Sequence, residues 1–186
     1  RAELIGVHPH AADLETGDYG DLPTDFTHLV HFAAWQGPTP DYDRAIRANA
    51  EATGLIMAHC RHATAALVAS TNSVYRANAD PWHAYVETDP LGDPTAPHSP
   101  TYAVSKVGQE AVARTMARAL GLPTTIARIN ASYGPNGGLP AYHCDAIAAG
   151  KAVPLRSPDR SPYSPIHEDD LAAQVAPLLD AAASPA

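Results

Sequence analysis

Cysteine is scarce in this chain: Cys60 and Cys144 are the only two in 186 residues. They stand far apart and form no C-x-x-C pair, which excludes both a zinc-finger pattern and a disulfide framework. Each is expected to be a small buried apolar residue, the usual state of a free thiol. Positive charge is also in short supply, with 12 Lys and Arg against 20 Asp and Glu and a formal net charge of -8. A phosphate-backbone binder needs clustered basic residues, so no nucleic acid partner is expected. No apolar run approaches the roughly 20 residues needed to cross a bilayer, and no signal-peptide pattern opens the chain. The expectation is a cytoplasmic protein without a membrane partner. The ten histidines do not make a metal site. His59 and His62 bracket Cys60, but no second cluster would complete three or four ligands, and they are read as surface histidines at a helix end.

What the chain does hold is enough apolar material, 45% of residues, for a sizeable core in a single-domain length. The run His28 to Ala34 is continuously apolar in its middle and of strand length, as in a parallel sheet covered on both faces. A helix is expected from about Asp43 to His59, with Ile46, Ala50, Thr53, Met57 and Cys60 at helical spacing. Ala65 to Ser70 reads as the next strand and delivers Thr71 to its carboxyl end. Asn78 to Ser99, rich in Pro, Asp and His, is a loop without periodicity. Ser99 is the expected N-cap and Pro100 the first residue of a helix that runs to Gly121, with Pro123 beyond. Thr124 to Ile129 is β-branched and strand-like. Then come a helix from about Pro140 to Ala149, stopped by Gly150, and a short strand near Val153 to Leu155. The last helix starts at the acidic run Glu168-Asp169-Asp170, suited to the macrodipole, and Pro177 is expected to bend or end it.

The chemistry concentrates at Ser99-Pro100-Thr101-Tyr102-Ala103-Val104-Ser105-Lys106. Residues four apart on a helix are neighbours, so Tyr102 and Lys106 share a face. A phenol titrates near pH ~10, too high for a general base at neutral pH unless a nearby cation favours the phenolate. A lone Y-x-x-x-K is a common pairing on solvated helix faces, and context must decide. That context is an ordered series: Ala65 to Tyr75, a strand ending in Ser70-Thr71-Asn72-Ser73; then Arg128-Ile129-Asn130-Ala131-Ser132-Tyr133-Gly134-Pro135; then Tyr163-Ser164-Pro165-Ile166-His167-Glu168-Asp169-Asp170.

In this order and at these separations the motifs resemble the NAD-dependent epimerase/dehydratase branch of the extended short-chain dehydrogenase/reductases, over about Val7 to Ala176. The resemblance implies an α/β fold, a doubly wound parallel sheet of Rossmann type, incomplete here, with the start of a small C-terminal substrate domain. Residues 1–135 would form the partial dinucleotide-binding domain. Residues 136–186 would belong to the substrate-binding region, with one helix free to return to the sheet. It implies NAD or NADP as cofactor, NAD favoured, and a catalytic set of Thr71, Tyr102 and Lys106. Tyr102 would move the proton of a substrate hydroxyl, Lys106 would keep the phenolate accessible and hold the nicotinamide ribose, and Thr71 would bind the substrate oxygen. Asp13 and Leu14, ending a strand from about Val7, would meet the adenine. Ala33 and Ala34 would let pyrophosphate and ribose approach the backbone; Ser70 and Ile129 would line the cofactor. Asn72, Asn130 and Tyr163 would face a substrate, a nucleotide-sugar or another small molecule. Asn49 resembles a buttress of the active site from a neighbouring helix. The face of the 102–121 helix carrying Val104, Gly108, Ala111, Val112 and Thr115 would pack in a homodimer. Unaided by the resemblance, Asp13 reads as a turn acid before Gly17.

The sequence also departs from the family's pattern. No G-x-x-G-x-x-G turn occurs, nor the residue that reads the ribose, so the chain is expected to be an interior fragment. In the order 3-2-1-4-5-6 the strand near His10 would then not pair with the one near Val30. Asn72 and Ser73 stand where sugar-nucleotide dehydratases carry an Asp-Glu pair, which disfavours a 4,6-dehydratase. Ala131 replaces a family Asn, and Tyr163 replaces an Arg that often meets the diphosphate; Arg156 or Arg160 could substitute. Beside an epimerase, a reductase of the same family on a non-nucleotide substrate and a non-catalytic dinucleotide-binding module stay open.

Overall fold

The structure is a computed structural model, and it describes residues 12–92, 99–135, 137–153 and 163–182. Three parallel strands form the sheet in the order β1 (His28–His31), β2 (Ala65–Thr71) and β3 (Thr124–Ile129). Parallel neighbours need a crossover. The first is helical from Tyr42 to His59; the second contains the long helix α3 (Tyr102–Leu120). Registers pair Leu29 with Ala66 and Thr71 with Ile129, so the strand ends that carry polar residues lie side by side. All seven residues of β2 are buried. That explains its unalternating Ala-Ala-Leu-Val-Ala sequence, since a central parallel strand is covered on both faces.

One face is the core. Leu29, Ala66 and Val68 from the sheet meet Ile56, Met57, Ala113, Ala117 and Leu122 from the helical layer. Met57, Val68 and Ala113 are entirely out of solvent, and burying a side chain the size of Met contributes roughly 1.5–3 kcal/mol. Small residues set the helix spacing: the Cα of Gly108 faces Ala50, where an added Cβ would sit 3.4 Å away, and that of Gly54 faces Val112. The other face of the sheet meets α5 (Glu168–Asp180), which touches β2 and β3, and the Thr125 hydroxyl donates to the Leu178 carbonyl at 2.8 Å. A two-stranded parallel pair, β4 (Ser132–Tyr133) with β5 (Ile166–His167), continues from β3 into α5, and α4 (Leu139–Ala148) lies between them. Among the described residues no helix is long and apolar enough to cross a membrane.

Several boundaries differ from the sequence expectations. β1 stops at His31, and Ala33 and Ala34 follow as exposed irregular chain. The helical segment opens with α1 (Tyr42–Ala45), where Asp41 caps Arg44 N, passes through a π-helical turn at Ile46–Glu51, and ends as α2 (Ala52–His59). Such turns insert one residue into the helix and are frequent at functional sites. Ser99 is not the cap of α3. Its carbonyl accepts from Tyr102 N at 3.3 Å, its hydroxyl is buried without a partner among the described residues, and Thr101 stands at the cap position. Gly121 does stop α3, at φ +64°, the left-handed conformation that glycine adopts freely. Val153 is not in a strand; residues 154 and 155 lie outside the described residues. α5 runs past Pro177 to Asp180, so the proline does not end it. Cys60 is buried as expected, but Cys144 is exposed, because α4 buries none of its residues. The expectation for the strand from Val7 and its pairing near His10 lies outside the described residues.

Candidate active site

Parallel strands bring their carboxyl ends to one edge, and here those ends carry Ala33 and Ala34 beyond β1, Ser70 and Thr71 on β2, and Ile129 and Asn130 at the end of β3. The amino-terminal turn of α3 closes on the same edge. Lys106 is 2% exposed and its Nζ donates to the Ala69 carbonyl at 2.6 Å, which fixes α3 to β2 two residues before Thr71. The same ammonium lies 5.8 Å from the centroid of the Tyr102 ring. Tyr102, Lys106 and the strand end bearing Thr71 therefore belong to one locus. The Thr71 hydroxyl accepts from Ser73 N at 3.2 Å and approaches Asn72 Oδ1 at 3.5 Å. Asn72 Nδ2 donates to Asn130 Oδ1 at 2.9 Å, joining the β2 and β3 ends through two of the expected substrate-facing residues.

Asn49 sits in the π-helical turn and is completely buried. Its Oδ1 accepts from Trp35 N at 2.6 Å, while its Nδ2 donates to Trp35 O at 3.0 Å and to Ser105 Oγ at 2.8 Å. Ser105 Oγ donates in turn to Tyr102 O. One amide thus ties the loop after β1 to the first turn of α3. Thr53, Gln109 and His31 extend this layer: Gln109 Nε2 donates to Thr53 Oγ1 at 2.8 Å, and His31 Nε2 lies 3.0 Å from the same oxygen. Because Thr53 Oγ1 donates its own proton to Asn49 O, the imidazole must be the donor to Thr53.

Burial sets the charge states. It pushes the Lys106 ammonium down to about 8, against the pull of Glu110, and pushes His31 down to about 4, with Lys106 adding to the effect. Glu110 is 3% exposed. Its burial acts upward, but hydrogen bonds from Arg128 and Ser70 hold the carboxyl below its usual range. Arg128 is bidentate, Nε to Oε1 at 2.9 Å and Nη2 to Oε2 at 2.8 Å, and Ser70 Oγ donates to Oε1 at 2.6 Å. Arg128 also reaches Glu87 O at 3.0 Å and stacks over the Tyr75 ring at 4.8 Å.

Other expected residues lie apart from this cluster or are engaged elsewhere. Asp13 sits in a turn, its Oδ1 accepting from Glu15 N and Thr16 N and its backbone bridging Asp18. This is the geometry of a turn acid. Leu14 packs against the apolar core. Tyr163 is 45% exposed. A cavity of about 820 Å³ runs along β3 and α5; it takes in Asn72, Asn130, Arg128 and Tyr75, and includes none of Thr71, Tyr102 and Lys106. Sequence reading missed His31, Thr53, Gln109 and Glu110. The available signal was position: Gln109 and Glu110 are polar residues on the inward side of a helix, and Glu110 stands one turn beyond Lys106.

A parallel sheet flanked by helices, with a tyrosine and a lysine one turn apart at the carboxyl edge, defines a Rossmann-like protein with acid-base capability at that edge. The model of the NAD dependent epimerase/dehydratase family matches residues 9–185, and the chain belongs to that family. Among solved structures, a dTDP-glucose 4,6-dehydratase double mutant, DesIV from Streptomyces venezuelae with NAD and DAU bound, superposes with TM-score 0.70 at 25% identity, covering 86% of this chain and 50% of that one. MoeE5 in complex with UDP-glucuronic acid and NAD gives TM-score 0.67 at 26% identity, covering 83% and 52%. The UDP-glucuronic acid 4-epimerase of Bacillus cereus, with UDP-glucuronic acid and NAD, shares the fold at TM-score 0.73 and 20% identity, covering 94% and 55%. This chain therefore spans about half the length of those proteins. No curated protein sequence matches it.

Proposed function

We propose that this chain carries the acid-base half of an NAD-dependent epimerase/dehydratase-type enzyme, acting at a hydroxyl-bearing carbon of a nucleotide-sugar or a related small molecule. The observation that carries the reading is the Lys106 ammonium, buried, anchored to Ala69 O and 5.8 Å from the Tyr102 ring. The ammonium and the phenol so placed present a charged donor and a hydroxyl to one substrate position, and Tyr102 is the group that takes or returns the hydroxyl proton. Thr71 supplies a hydroxyl for the substrate oxygen, and Asn72 and Asn130 present amides beside it.

The residues present fit the nicotinamide and ribose end of NAD. An ammonium has three donor hydrogens, and the Ala69 carbonyl takes one of them, which leaves hydrogens for a diol. Tyr102, Lys106, Ser70 and Ile129 would hold that end, with Ala33 and Ala34 exposed at the β1 edge and Asp13 and Leu14 assigned to the adenine. When bound, NAD supplies the hydride acceptor and donor. NAD is favoured because the solved relatives named above carry it. Those relatives also support a nucleotide-sugar. Asn72 and Ser73 argue against elimination of water, since neither an amide nor an aliphatic hydroxyl serves readily as a carboxyl acid-base pair. Of the α3 face expected to pack in a homodimer, Gly108 and Val112 instead meet Ala50 and Gly54 of the same chain; the exposed Val104, Ala111 and Thr115 are what supports a homodimer built on that helix.

The test is Tyr102→Phe. The expected outcome is a rate lower by roughly 10²–10⁴-fold, the usual contribution of a general acid-base group, in a variant whose urea unfolding midpoint matches the wild type. A wild-type rate in this variant would refute the role. An epimerase consumes no net NADH; stoichiometric consumption would instead identify a reductase.

A further inference from the structure

Lys106 has a buried charge and, among the described residues, no carboxylate in ion-pair contact with it. The groups around it are few. Tyr102 and Glu110 flank it one turn away on either side along α3, the Ala69 carbonyl comes from β2, and His31 faces it from β1. His31, held neutral by burial, contributes no negative charge. Glu110 is the one anion in this set, and it is itself buried. Its position is fixed from three directions: Ser70 Oγ on β2, the bidentate Arg128 on β3, and Arg114 on its own helix at 3.8 Å. Lys106 and Glu110 thus grip consecutive residues of β2, Ala69 and Ser70, immediately before Thr71.

The charge balance follows. With Glu110 ionised, the buried trio of Lys106, Glu110 and Arg128 carries one net positive charge. Without it, Lys106 and Arg128 would be two buried cations with no anion in this set, and a Coulomb interaction between buried groups is less screened than in bulk. Resting on the role proposed above for Lys106, we propose that Glu110 is a positioning residue of the active site, supplying from the same helix face the negative charge that keeps Lys106 an ammonium beside Tyr102. Arg128 and Ser70 then serve to hold that carboxylate ionised and in place.

The sequence makes this measurable without turnover, because Lys106 and Lys151 are its only lysines. Carbon-13 labelling at lysine Cε gives two NMR signals, and Lys151→Arg assigns them. In the wild-type chain the Lys106 signal should titrate near 8. Glu110→Gln should move that midpoint downward. Because the variant leaves Arg128 buried and unpaired and could unfold, Glu110→Gln/Arg128→Met, which removes both charges, should also shift it downward, by less. Ser70→Ala keeps both charges and should leave the midpoint at its wild-type value. An unshifted Lys106 midpoint in the folded Glu110 variants overturns the proposal. So does a Ser70→Ala shift as large as that of Glu110→Gln, which would mean that a loosened strand, not a lost charge, moved Lys106. If the protein neither binds NAD nor turns over, the proposed function fails while this titration still decides the role of Glu110.

Discussion

Arg128→Met tests the buried ion pair that joins α3 to β3. The Arg128 and Glu110 side chains are 10% and 4% exposed, so both charges were desolvated on folding and neither can recover that cost from water. Removing one partner of a buried pair typically destabilises by roughly 3–5 kcal/mol, because the remaining charge is left uncompensated. Here Glu110 keeps the Ser70 hydroxyl at 2.6 Å and the more distant Arg114, which places the loss at the low end, about 3 kcal/mol. The lost Glu87 carbonyl bond and Tyr75 stacking are included in that figure. Urea unfolding at neutral pH measures it, and Arg128→Met/Glu110→Leu should recover most of the loss. The pH dependence has a definite sign. In the wild type the Glu110 carboxyl titrates below its ordinary 4.5, so its contribution is present above that value and fades as pH falls through the folded-state midpoint. In Arg128→Met, burial dominates and the carboxyl titrates above its ordinary value. The variant is then relieved by acid, and its deficit against wild type shrinks as pH drops toward 4.5. A deficit under about 1 kcal/mol, or a double variant no more stable than the single one, would refute the claim that this pair is closed to solvent.

Lys106→Met should raise stability at pH 7 by about 2 kcal/mol, since a folded-state value near 8 against 10.5 means that folding disfavours the ammonium by about 3 kcal/mol, of which the lost Ala69 hydrogen bond takes back about 1; on the role proposed for Lys106, turnover should be abolished. The folded wild type binds fewer protons than the unfolded chain between those values, so its stability should rise from pH 8 to 10.5 and that of the variant should not. Equilibrium unfolding across that range checks both. Asn49→Ala should cost about 2 kcal/mol by leaving buried partners unsatisfied, and hydrogen exchange at the Trp35 amide should accelerate, because that N–H donates to Asn49 Oδ1. A Trp35 amide as protected as in wild type would show that the β1 loop is held by something else.

The sheet and its helices were readable because each carries a local signature. β2 is apolar at every position up to Ser70 because it is central; α3 has a glycine stop at Gly121; α5 opens on three acids. Tyr102 and Lys106 were readable because helix geometry alone makes residues four apart neighbours. The errors fall where a tertiary partner overrides the local pattern. Ser99 has the chemistry of a helix cap, yet its buried hydroxyl lies outside the helix and Tyr102 N bonds its carbonyl instead. Cys144 has the composition of a buried residue but stands on a helix that buries nothing.

The sequence by itself determined which residues could share a helix face or a strand end, since helical and extended periodicities depend only on spacing along the chain. Only the tertiary structure decided that Lys106 would reach β2 at Ala69, that Asn49 would clasp both Trp35 and Ser105, and that Glu110 would be answered by Arg128 and Ser70. Those partners lie 14 to 56 residues away from one another along the chain, and no local rule fixes which distant groups a buried charge will meet. Burial made an ordinary lysine and an ordinary glutamate dependent on those distant partners, and burial is a property of the packed layers, not of either residue's neighbours in sequence.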